Sequence, residues 1–85
     1  MSNYTAVRNN IILCDTSSGG FTVTMPSAAL NKDKTILIKK ITNDFGAVKI
    51  TPQVGDTIDG DLEKIIASYL TSVTLVSDGT YWWVV

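Results

Sequence analysis

Short apolar segments separated by turn residues recur along the chain, and most alternate with period two, as strands with one covered face do. Phe21-Thr22-Val23-Thr24-Met25 is the clearest case, with Phe21, Val23 and Met25 facing one way and both threonines the other. Thr35 to Thr42 turns Ile36 and Ile38 inward, and Ala47 to Thr51 does the same with Val48 and Ile50. The adjacent Lys39 and Lys40, followed by Ile41, break the alternation and predict a bulge or an edge position. Asn10 to Asp15 differs, because Ile11-Ile12-Leu13-Cys14 is a continuous apolar run and predicts a strand covered on both faces. Glu63 to Leu70 fits a helical turn as well as a strand by spacing, and its strand neighbours decide for strand.

Turn chemistry separates these segments. Thr16-Ser17-Ser18-Gly19-Gly20 and Asn43-Asp44-Phe45-Gly46 read as turns, and Pro26 ends the strand before it because it has no N–H for a ladder. Residues 27–34 read as a loop. Gly55 to Asp61 packs two glycines and three aspartates around Ile58, predicting a tight turn in which Gly60 takes a positive φ and the carboxylates cap turn amides.

The C-terminus carries the strongest local signal. Ser72 to Ser77 and Thr80 to Val85 flank Asp78-Gly79, which suits a two-residue type I′ turn whose twist matches the flanking strands. Pairing Ser77 with Thr80 puts Val73, Leu75, Trp82 and Val84 on one face, and Thr74, Val76, Tyr81, Trp83 and Val85 on the other. Both faces are apolar, and one copy of a small sandwich covers only one of them. Trp82 and Trp83 point in opposite directions, so one indole enters the core while the other, assigned to Trp83, is expected at an interface.

These elements define an all-β fold class: a compact antiparallel β-sandwich or barrel-like domain over residues 10–85, ending in a β-hairpin and preceded by an N-terminal arm of residues 1–9. Thr, Ile and Val make up about a third of the chain, which agrees, since β-branched residues favour strands. At 85 residues, the burial available to one copy roughly offsets chain ordering, so association is a natural source of further stability.

Composition narrows the function. With no histidine among the 85 residues, Ser-His and Cys-His nucleophile chemistry and His-based metal sites are ruled out. Cys14 is the single cysteine, so neither an intrachain disulfide nor a zinc knuckle is available, and its apolar surroundings predict an inert buried thiol. A net charge of −1 gives no electrostatic footprint for nucleic acid. No apolar run approaches the roughly 20 residues of a membrane span, and the start Met-Ser-Asn-Tyr-Thr lacks the pattern of a signal peptide. A protein made in the cytoplasm is expected.

The order Phe-Thr-Val-Thr-Met-Pro, Lys-Thr-Ile-Leu-Ile-Lys-Lys, Val-Lys-Ile-Thr-Pro, Gly-Asp-Thr-Ile-Asp-Gly and Ser-Val-Thr-Leu-Val-Ser-Asp-Gly-Thr-Tyr-Trp-Trp-Val-Val resembles a small β-module of bacteriophage virion proteins, found in tail fibres, tail spikes and capsid decoration proteins. The likeness spans Asn10 to Val85. Tyr81-Trp82-Trp83 departs from it, since the family more often has Asn before the first Trp and another aromatic after it. The resemblance implies a non-enzymatic structural protein of the virion, commonly a homotrimer, with no cofactor and no metal. Because the chain is the module with a nine-residue leader, the preferred expectation is a capsid decoration or cement protein, assembled in the host cytoplasm and bound to the major capsid protein on the capsid surface. The alternative is a tail fibre or spike-type tip that binds host surface glycan.

Residue assignments follow. Tyr81, Trp83, Val76 and Val85 are expected at the oligomer interface, and Tyr4 and Val7 are the apolar anchors of a capsid-docking arm. Under the alternative, Tyr69, Tyr81 and Trp82 would stack on sugar, although aromatics on a terminal strand ordinarily serve as core and interface anchors. Asp56, Asp59 and Asp61 lack the alternating spacing and downstream Glu of a calcium loop. Lys32, Lys34, Lys39, Lys40 and Lys49 are expected as solvated or edge-protecting side chains, with a basic patch facing an acidic shell as the other reading.

Overall fold

Each period-two segment becomes a strand that turns its apolar side toward one shared core. The computed structural model describes residues 2–85, and among these eight strands form two sheets with no helix. The strands are β1 (Tyr4–Thr5), β2 (Ile11–Cys14), β3 (Phe21–Thr24), β4 (Thr35–Lys40), β5 (Val48–Thr51), β6 (Lys64–Ile66), β7 (Ser72–Ser77) and β8 (Trp82–Val84). Sheet A has the order β1-β3-β5-β6 and sheet B the order β2-β4-β7-β8.

The sheets are mixed, which corrects the antiparallel arrangement expected from the sequence. From β1 to β5 the chain changes sheet at every connection, so the next strand laid into the same sheet runs in the same direction. β1 with β3, β2 with β4, and β3 with β5 are therefore parallel. The pairs β5 with β6, β4 with β7, and β7 with β8 are antiparallel. Tight turns join only antiparallel neighbours. Only the last connection in the chain is such a hairpin.

Val23, Met25, Ile36, Ile38, Val48, Ile50, Ile58, Leu75 and Trp82 fill the space between the sheets and are fully buried. Trp82 enters it from the edge strand β8, and its indole N–H donates to the carbonyl of Pro26 at 3.0 Å. Cys14 is also fully buried, and burial raises the pKa of its thiol, as expected of an inert core cysteine. The leader expected as an arm already contributes to the sandwich in one copy. Tyr4 and Thr5 pair with Val23 and Thr24, and Ala6 is buried with its N–H donating to Thr24 at 2.8 Å. Met1 of that leader lies outside the described residues.

Two local expectations change. Strand β2 is covered on one face only: Ile12 and Cys14 point inward, while Ile11 and Leu13 stay 72% and 53% exposed. Lys39 and Lys40 continue the alternation of β4, and the bulge lies on the facing strand. There the N–H of Leu70 donates to the Lys40 carbonyl, and the N–H of Lys40 donates to Thr71, both at 3.0 Å, so two residues oppose one.

Candidate interaction surface

The hairpin closes with Ser77 opposite Trp82, Val76 opposite Trp83 and Leu75 opposite Val84, leaving residues 78–81 as a four-residue loop. A two-residue type I′ turn needs positive φ at both central positions, and here Gly79 has it, at +95°, while Asp78 does not. The Asp78 carboxylate organises the loop instead. Its Oδ1 accepts from the backbone N–H groups of Thr80 and Tyr81, both at 2.8 Å, and its Oδ2 accepts from the indole N–H of Trp83 at 2.9 Å. The Tyr81 N–H, then the Trp83 indole and the Thr80 N–H, hold the Asp78 carboxyl below the usual aspartate range. The shift from two to four loop residues moves the register by two, which preserves the faces. Trp82 enters the core, and Trp83 stays outside, 41% exposed.

Trp83 does not stand alone. On the outer side of sheet B, Ile11 aligns with Leu37 and then Thr74, while Thr35 aligns with Val76 and then Trp83. Val85, exposed, joins the first row through its N–H bond to Thr74 at 2.9 Å. Tyr81, partly exposed, borders the face from the loop. The outer side of sheet A is more polar: Thr22, Thr24, Lys49 and Thr51 occupy it beside the exposed Ile65, with Lys49 3.2 Å from Glu63. Sheet B sets Ile11, Leu13, Val76, Trp83 and Val85 among Thr35, Lys39, Ser72 and Thr74, and so shows water more apolar surface.

The residues considered for glycan do not come together. Trp82 is fully buried, so its ring offers no stacking surface. Tyr69 and Tyr81 lie beyond opposite ends of β7, whose six residues span about 20 Å. Tyr4 and Val7 are exposed, and the Tyr4 hydroxyl donates to Asn10 Oδ1 at 3.2 Å. The lysines are dispersed. Lys49 belongs to sheet A, Lys39 to the outer side of sheet B, and Lys40 to the interior. Asp56 and Asp59 accept from the N–H groups of Ala28 and Val84 at 3.0 and 2.9 Å, and Gly60 takes φ +83°, so the acidic turn serves as a loop brace.

Lys40 is the polar feature that the sequence concealed. Its ammonium is fully buried and donates to Thr16 Oγ1, Asp44 Oδ1 and the Gly46 carbonyl, each at 2.7 Å, and to the Asp44 carbonyl at 3.1 Å. Gly46 is required here, because a Cβ would sit 2.6 Å from Thr16 Cβ. The Lys40 ammonium, then the Thr16 hydroxyl, hold the Asp44 carboxyl well below the usual range. An amine so saturated with partners and so inaccessible leaves no room for a substrate. It ties the loop of residues 41–47 to Thr16 across one end of the sandwich. No family model matches the chain, and no curated protein matches it.

Proposed function

We propose that the chain is a non-enzymatic structural protein of a bacteriophage virion, a homotrimeric decoration protein that assembles through the outer face of sheet B and stabilises a capsid shell. One observation carries the self-association: Val76, Trp83 and Val85 form an apolar surface on a sheet whose other side already covers the core. Asp78 supports this reading by fixing the Trp83 ring before any partner arrives, which lowers the ordering cost of contact. The number three, the virion and the major capsid protein as partner come from the sequence resemblance. Exposed Tyr4 and Val7, beside the edge of sheet B, supply a second apolar contact for the shell.

Sedimentation velocity of the wild type and of Trp83→Ala tests the proposal. A trimer that dissociates on loss of the indole is expected. A wild-type monomer at all concentrations overturns the proposal, and an intact trimer after Trp83→Ala moves its interface away from sheet B.

A further inference from the structure

The four sheet edges are not equally protected. Edge β8 is covered by the loop before β6: Trp82 N–H donates to the Thr57 carbonyl at 2.9 Å, Asp59 N–H to the Trp82 carbonyl at 3.0 Å, and Val84 N–H to Asp59 Oδ1 at 2.9 Å. Edge β1 has two residues. Edge β6 has three and carries Lys64, bonded to Asp61 at 3.0 Å, a charge of the kind that keeps other strands away. Edge β2 has four residues, Ile-Ile-Leu-Cys, with no charge and no proline.

The hydrogen-bond phase of β2 shows what would fit there. Leu37 N–H takes the Asn10 carbonyl and Ile41 N–H takes the Cys14 carbonyl, both at 3.0 Å. In a parallel ladder this phase turns the even residues of β2 toward β4 and the N–H and C=O groups of Ile11 and Leu13 off the edge. A groove lined by Tyr4, Asn10, Ile11, Ile12 and Leu13 opens along the same edge. Two outward-facing residues spaced by one are what a fifth strand requires.

We infer that β2 pairs antiparallel with β2 of a second copy, joining two B sheets into one of eight strands. The segment is self-complementary. A twofold axis at Ile12 sets Ile11 of each copy opposite Leu13 of the other, where both exchange N–H···O bonds, and this isologous contact is closed. The same axis also sets the exposed side chains of Ile11 and Leu13 side by side across the seam. This edge and Trp83 lie at opposite sides of sheet B, so pairing through β2 is compatible with the proposed trimer and independent of it.

The test follows wild type, Leu13→Pro, Ile11→Lys and Trp83→Ala by sedimentation velocity over a range of concentrations. The Leu13 N–H points off the edge, so proline there removes no bond within one copy, and circular dichroism checks that the fold is kept. Wild-type trimers are expected to pair into hexamers, Leu13→Pro to stop at trimers and Trp83→Ala to stop at dimers. Ile11→Lys, at a side chain that is exposed in one copy, is expected to stop at trimers as well. The inference is overturned if folded Leu13→Pro or Ile11→Lys sediments like wild type at every concentration. If Trp83→Ala still forms Leu13-dependent dimers while no trimer appears in the wild type, the pairing stands and the trimer falls.

Discussion

Lys40 is the residue on which one end of the sandwich depends. A buried ion pair contributes little beyond what an apolar replacement of both partners would, but removing one partner strands the other. Lys40→Met is therefore expected to lower the urea midpoint, since Asp44, Thr16 and the Gly46 carbonyl lose their shared donor. Leu70 gives the opposite expectation. It holds φ +65° at the third position of the turn from Ser68 to Thr71, where the bulge against Lys40 favours glycine. Its side chain is half exposed, so Leu70→Gly removes little packing. Relief of a left-handed leucine, worth roughly 1–2 kcal/mol, is partly offset by the greater unfolded freedom of glycine, and a net gain of about 0.5–1 kcal/mol is expected from the same titration.

At the scale of elements, the hairpin loop responds to acid. Asp78 has its folded pKa depressed, so its contribution is complete above the unfolded value near 4 and is lost as pH falls through the depressed folded value. Only below that depressed folded value is the protonated carboxyl expected to release the Trp83 indole, and tryptophan fluorescence should report the change. Asp78→Asn, which keeps an acceptor for the backbone but not one for the indole, should show the altered signal already at neutral pH. An unchanged spectrum in that variant would detach Trp83 from Asp78. The hairpin also shows what the sequence made legible. Period two alone fixes parity, so the opposite placement of Trp82 and Trp83 survived a loop twice as long as Asp-Gly suggests. Loop length was hidden because it depends on where one carboxylate finds donors. Strand direction was hidden for a related reason: alternation in Phe21 to Met25 or Thr35 to Lys40 is the same whether the neighbour runs parallel or antiparallel. Lys40 was misread because an inward lysine is indistinguishable in sequence from an edge lysine until Asp44, Thr16 and Gly46 are brought around it.

For the whole molecule, the N-terminal segment decides whether folding and the proposed shell binding are separable. Residues 2–9 supply β1, the buried Ala6, and Asn3, whose Oδ1 accepts from Thr22 N–H at 2.9 Å. Removing residues 1–9 would uncover β3 along Phe21-Thr22-Val23-Thr24, replacing a two-residue edge by a four-residue one without charge. The bonds from Ala6 and to Asn3 would be lost together with the β1–β3 ladder and the covered methyl group. At about 1 kcal/mol for each bond, the truncated chain is expected to unfold more easily than wild type by at least about 2 kcal/mol and to aggregate through the new edge. A truncated chain with the wild-type urea midpoint would show that β1 adds nothing to the fold. Tyr4→Ser combined with Val7→Ser separates the two roles, because both side chains are exposed while the β1 backbone is retained. That variant should keep wild-type stability and lose affinity for shells in a co-sedimentation assay. Undiminished shell binding by the folded double variant would leave the docking assignment without support, whatever the truncation does to stability.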